Sequence, residues 1–171
     1  MSPNAFKLML LLATTALLGC PPSQGIETWS EADTDVYANH VHAYVTVACG
    51  ALNCHGNPGR PLRIYSELGL RIDPALRTTP TDEAHPATPI TDEELQDNVI
   101  AFSTVSPLES GLQHFALQKP LAGGVDHVGG KLFADTNAPG YLCLRAWLVI
   151  DDPEMLDPET NCKAALASLG F

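Results

Sequence analysis

The sequence predicts a mostly α, small domain with long irregular loops and room for one or two short strands. Three observations lead there. Apolar residues recur at helical spacing between positions 36 and 48, and Thr91 stands three residues before Glu94 as a helix-start signal. Between such segments lie stretches so dense in glycine and proline that no regular element tolerates them.

The chain of 171 residues opens with "MSPNAFKLMLLLATTALLGC", in which Lys7 supplies a positive charge and Leu8 to Leu18 a short apolar run. That is the layout of a secretion signal, and the run is too short for an ordinary membrane span. Leu17-Leu18-Gly19-Cys20 resembles the lipobox of bacterial lipoproteins. The resemblance implies cleavage before Cys20, lipidation of that cysteine, and an exported, lipid-anchored protein of the periplasm or outer-membrane surface. Residues 1–19 then form the signal, residues 20–30 ("CPPSQGIETWS") a tether, and residues 31–171 a single domain. With Lys7 removed, eight basic side chains face 20 acidic ones, a formal charge of −12. Such a surface repels nucleic acid and anionic headgroups, so membrane association would come from the lipid.

Ser30 and Asp33 form a weak capping pair ahead of Val36, Tyr37, Val41, Tyr44, Val45 and Ala48, whose spacing predicts a helix from about 31 to 49. Gly50 would end it in a left-handed terminal conformation. Residues 51–61 read as a loop, and "LRIYSELGLRI" as a short strand or extended arm. Residues 73–90, with four prolines, read as an exposed excursion. The Thr91–Glu94 box opens a second helix to about 104, with Leu95, Val99 and Phe102 inward. "LESGLQHFALQK" adds a short helical turn with Leu112, Phe115 and Leu117 inward, and "PLAGGVDHVGGKLF" a glycine-rich loop. "YLCLRAWLVIDDP" fits a strand or the start of a helix. A last helix begins at Asp157 or Thr160 and runs toward Leu169, carrying Cys162.

In an exported protein, Cys49, Cys54, Cys143 and Cys162 allow three disulfide pairings. One account pairs Cys49 with Cys54 and Cys143 with Cys162. The other keeps the second pair as a staple and spends the first on a cofactor, because His55 follows Cys54 at once in "CGALNCHGNPGR". C-x-x-C-H is the ordinary haem c attachment spacing, and here two further residues separate the thiols. Bis-histidine ligation of the iron by His55 and His127 is the preferred reading, with Met155, the one methionine after the leader, as the fallback. Glycines flanking His127 would let backbone approach a flat cofactor. Arg60 and Arg63 suit its carboxylates, although in so acidic a chain they could equally pair with Asp or Glu. Cys49, Cys54, His55 and His127 also have the composition of a zinc site. No nucleophile elbow, phosphate-binding loop or H-E-x-x-H pattern occurs.

"CGALNCHGNPGRPLRIYSELGLR" together with "LQKPLAGGVDHVGGKLF" resembles the c-type cytochrome-like domains of exported myxobacterial lipoproteins and of large planctomycete cytochrome proteins. In those, a CHG loop is followed much later by a K-P-L … H-x-G-G segment. The resemblance covers roughly residues 36–150 and implies a small cytochrome c-like domain. It places Cys49, Cys54 and His55 in the attachment loop and His127 in the glycine-rich segment. The longer cysteine spacing departs from the family's usual pattern. The resulting expectation is an electron carrier, not an enzyme, that exchanges electrons with periplasmic or surface redox proteins. The alternative is a haem-free envelope lipoprotein stapled by two disulfides.

Overall fold

The computed structural model describes residues 31–77, 88–106, 108–124, 126–149 and 152–171. The leader, Cys20, the Ser30 cap and most of the proline-rich excursion lie outside the described residues. The described chain is mostly α with irregular loops, and its only β pairings are two isolated bridges, Tyr65 with Leu70 and Leu121 with Phe133.

Helix α1 (31–48) follows the apolar stripe. Its middle turn, Tyr37–Val41, is π-helical, with α-helical turns on either side, and both residues that bound that turn are buried. Tyr37, Val41, Tyr44 and Val45 face a core completed by helix α2 (Asp92–Val105) and helix α4 (Pro139–Leu148). The Trp147 ring sits 5.0 Å from Tyr37 and 5.0 Å from Phe102, the latter edge-on, so three helices share one aromatic cluster. Gly50 does not adopt the expected left-handed conformation. It is small for another reason: a Cβ there would stand 2.8 Å from the Thr46 carbonyl oxygen and 3.3 Å from Ile64.

The capping box forms in full. Glu94 N–H donates to Thr91 Oγ1 at 3.2 Å, and Thr91 N–H donates back to Glu94 Oε2 at 3.1 Å. The same buried carboxylate accepts Arg71 Nε at 2.9 Å and the Ile72 N–H at 2.8 Å. Four residues on, Asn98 receives the Tyr65 N–H (2.7 Å) and donates to the Tyr65 carbonyl (2.9 Å). These two clamps bear on why "LRIYSELGLRI" forms no strand among the described residues: the Tyr65 peptide groups and the Ile72 N–H are satisfied by side chains of α2 instead of a second strand.

Helix α3 (Phe115–Gln118) is a single turn capped by His114, whose Nδ1 accepts the Ala116 N–H at 3.1 Å. His114 and Leu117 are buried there, whereas Leu112 and Phe115, expected inward, are 41 % and 46 % exposed. A four-residue turn has one inward face, and the histidine and Leu117 fill it. "YLCLRAWL" resolves as helix, with Pro139 at the first turn of α4 where a missing N–H costs nothing. Helix α5 (Pro158–Ser168) starts with Asp157 accepting the Thr160 N–H at 2.8 Å. The disulfide Cys143–Cys162 joins α4 to α5, and Arg145 fixes the connection by donating to Asp152 at 2.6 and 2.9 Å. No helix among the described residues is long and apolar enough to cross a membrane.

Candidate functional site

A cavity of about 670 Å³ opens between the end of α1, the loop after it, α2, α3 and the glycine-rich loop. That volume lies within the roughly 300–1,000 Å³ of small-molecule and cofactor sites. Phe102, Phe115, Leu132 and Leu144 give it apolar walls, and Cys49, Cys54, His55 and His127 all line it.

The loop geometry starts at the helix end. Cys49 is the last residue of α1's final turn, with its N–H on the Val45 carbonyl at 2.8 Å. The chain then doubles back, so that His55 N–H donates to the Cys49 carbonyl (3.0 Å) and Gly56 N–H to that of Ala51 (3.0 Å). A Cβ on Gly56 would collide with the Gly50 carbonyl, and only glycine permits that return. The two extra residues between the thiols are thus absorbed in a compact turn. Both cysteines are free thiols and partly exposed. Burial of its sulfur, assisted by Cys54, pushes the Cys49 thiol up to about 12, which leaves little thiolate to start disulfide exchange.

His55 Nδ1 lies 2.8 Å from the Leu62 carbonyl oxygen. A carbonyl only accepts, so Nδ1 carries the hydrogen and Nε2 keeps its lone pair. Burial lowers the His55 pKa, with the Leu62 carbonyl opposing the shift and His127, Arg60 and Lys119 adding to it. The ring is therefore neutral, the form a metal requires. His127 repeats the arrangement, its Nδ1 lying 2.8 Å from the Gly130 carbonyl oxygen. Gly130 N–H closes the turn onto the His127 carbonyl at 2.9 Å, and Gly130 has φ +92°, a conformation that favours glycine. A Cβ on Gly129 would come within 3.2 Å of His127 Cε1. The glycines of H-x-G-G thus shape a turn that holds its own imidazole, a role different from the expected approach of backbone to a flat cofactor. The loop's base is pinned where Ala122 N–H donates to Phe133 O (2.8 Å) and Phe133 N–H to Pro120 O (3.0 Å), with Phe133 buried against Tyr141.

The two imidazoles lie 5.9 Å apart, centre to centre, with planes 26° from parallel. Metal–imidazole bonds of about 2 Å hold the ring centres of two imidazoles sharing one ion roughly 6 Å apart. Among the described residues no three His, Cys, Asp or Glu side chains converge on a point that could hold a metal ion. The tetrahedral zinc set is therefore not assembled. A porphyrin iron asks less of the protein, two axial donors, since the macrocycle supplies the rest. The residues present fit that group: two near-parallel imidazoles 5.9 Å apart, two free thiols and an apolar cavity.

Of the other sequence candidates, Arg60 lines the cavity, whereas Arg63 is exposed and outside it. Met155 is 87 % exposed, at φ +44°, and does not line the cavity, so the fallback ligand is not brought to the site. Trp147 packs in the core and is not a cavity wall. Sequence reading missed Lys119, although its "KPL" was part of the quoted motif. Comparison with protein-family models, curated proteins and solved structures returns no match.

Proposed function

We propose that the chain is an exported electron-transfer protein carrying one c-type haem, attached through Cys49 and Cys54 and ligated by His55 and His127. The observation that carries this reading is the pair of facing imidazoles, each with Nδ1 tied to a backbone carbonyl, across a cavity walled by two free thiols. Ligating histidines regularly donate their second nitrogen to such a partner, which fixes the tautomer and raises donor strength. Each thiol adds across one vinyl group: a sulfur–carbon bond forms, the thiol hydrogen ends on the neighbouring vinyl carbon, and nothing leaves. The bound group would supply one reversible electron at its iron. His55 and His127 would hold the group's iron, and Phe102, Leu132 and Leu144 would exclude water from it. With both histidines engaged on the iron, electron exchange would be favoured over chemistry on a substrate. The leader and the Leu17–Cys20 motif support export and lipid anchoring. The acidic surface suits redox partners with basic faces and makes encounter salt-dependent.

Mass spectrometry of the mature protein, exported by a host that attaches c-type haem, tests the reading. The expected product carries one haem mass and loses it when Cys49→Ser and Cys54→Ser are combined. A colourless product with Cys49 and Cys54 joined to each other would leave a haem-free, doubly stapled envelope protein.

A further inference from the structure

The charged side chains of the cavity are few and distinctive. Arg60 enters from the loop after His55, Lys119 from the end of α3, and Asp126 is the one carboxylate among the lining residues. Among the described residues Arg71 pairs with Glu94, Arg145 with Asp152 and Glu154, and Lys163 with Glu159. Arg60 and Lys119 line the cavity. Among the described residues neither makes an ion pair. The Arg60 guanidinium has only a 3.5 Å contact to the Asn53 carbonyl, and Lys119 Nζ rests 5.3 Å over the exposed Phe115 ring. Two cations that line a largely apolar cavity and form no ion pair among the described residues, in a protein with 20 acidic side chains, are set for anions that arrive with a ligand.

We propose that Arg60 and Lys119 form a carboxylate subsite that binds the two acid side chains of the porphyrin, with Arg63 taking no part. The inference rests on the haem reading and adds the residues that fix the cofactor's rotation in its cavity. Both cations line the cavity that His55 lines, and Arg60 follows His55 by five residues on the same loop. The guanidinium offers a two-pronged contact and the ammonium a point charge. Lys131, donating to the Lys119 carbonyl at 3.0 Å, braces the segment from which Lys119 projects. Asp126 is the opposing charge at the same cavity, and among the described residues no second carboxylate side chain lines it to compete for the cations.

The test is the pH dependence of the midpoint potential of the haem-loaded full chain, without any partner protein. A cation within about 4–6 Å depresses a carboxyl pKa by about 1–3 units. In Arg60→Gln and in Lys119→Gln the proton-linked segment of the potential curve should therefore move up by about one pH unit or more. The double variant should show both shifts. Arg60→Lys and Lys119→Arg should restore most of each shift, and Arg63→Gln should reproduce the unaltered curve. Unchanged curves in both single variants with haem retained would overturn this subsite while leaving the haem reading intact, and would point to an acidic partner as the cations' target. A chain that takes up no haem at all would remove both. If the double variant fails to load, the single variants decide.

Discussion

His127 depends on two neighbouring glycines. Gly130 holds φ +92°, and a side chain there costs about 1–2 kcal/mol of left-handed strain. Gly129 leaves the 3.2 Å of clearance that its neighbour's ring occupies. Gly130→Ala is therefore expected to displace the imidazole while leaving the cysteine loop intact. In the haem-loaded protein the absorption spectrum should lose its six-coordinate character with no change in covalent haem content by mass. A spectrum unchanged in Gly130→Ala would show that the turn does not govern the ligand. At this scale the sequence singled out Cys49, Cys54, His55, His127 and Arg60, and all five line one cavity. Lys119 was not, because its relevance depends on which wall α3 builds, and no local pattern encodes that. Met155 attracted attention as the sole remaining methionine, yet its acidic, proline-flanked surroundings keep it at the surface.

Helices α4 and α5 show what a covalent tie does for an element. Cys143 and Cys162 are fully buried and 19 residues apart in sequence. Closing a loop of that length restricts the unfolded chain by about 3 kcal/mol. Cys143→Ala with Cys162→Ala should lower the urea midpoint accordingly, and reducing agent should then have little further effect on stability. An undiminished midpoint would mean that the Arg145–Asp152 pair and core packing already suffice. Elements with their own start signals were readable: α2 by Thr91 and Glu94, α5 by Asp157. "YLCLRAWL" was ambiguous because it is apolar on nearly every face, and only its burial between α1 and α5 decides for helix. The 62–72 segment has an alternating pattern but no partner strand. Asn98 and Glu94 stand in for one, a long-range substitution that a periodicity cannot reveal.

At the scale of the whole molecule, acid should loosen the fold in two separate windows. His114 is buried, and that burial pushes its pKa down to about 4 despite the Phe102 carbonyl's opposing pull. Between about pH 6.5 and its folded value the unfolded chain holds the extra proton, so stability falls as pH drops through that range and this contribution then levels off. Glu94 acts lower. Burial would raise its pKa, but Arg71 and the Thr91 and Ile72 amides hold it at about 2, so its contribution persists above its ordinary value and is lost toward pH 2. Relief of surface repulsion has the opposite sign, since 20 acidic side chains lose charge on acidification, but salt at about 0.15 M screens exposed charges beyond about 8 Å. Urea midpoints measured in that salt from pH 7 to pH 3 should therefore slope downward from pH 6.5 in the parent protein. In His114→Asn, which keeps a good capping side chain but cannot titrate, the upper part of the slope should become shallower, with His42 and His55, whose pKa values burial also lowers, supplying the remainder, while the fall below pH 4.5 remains. Parallel curves for the two proteins would assign the upper window to other groups and leave His114 as a cap alone.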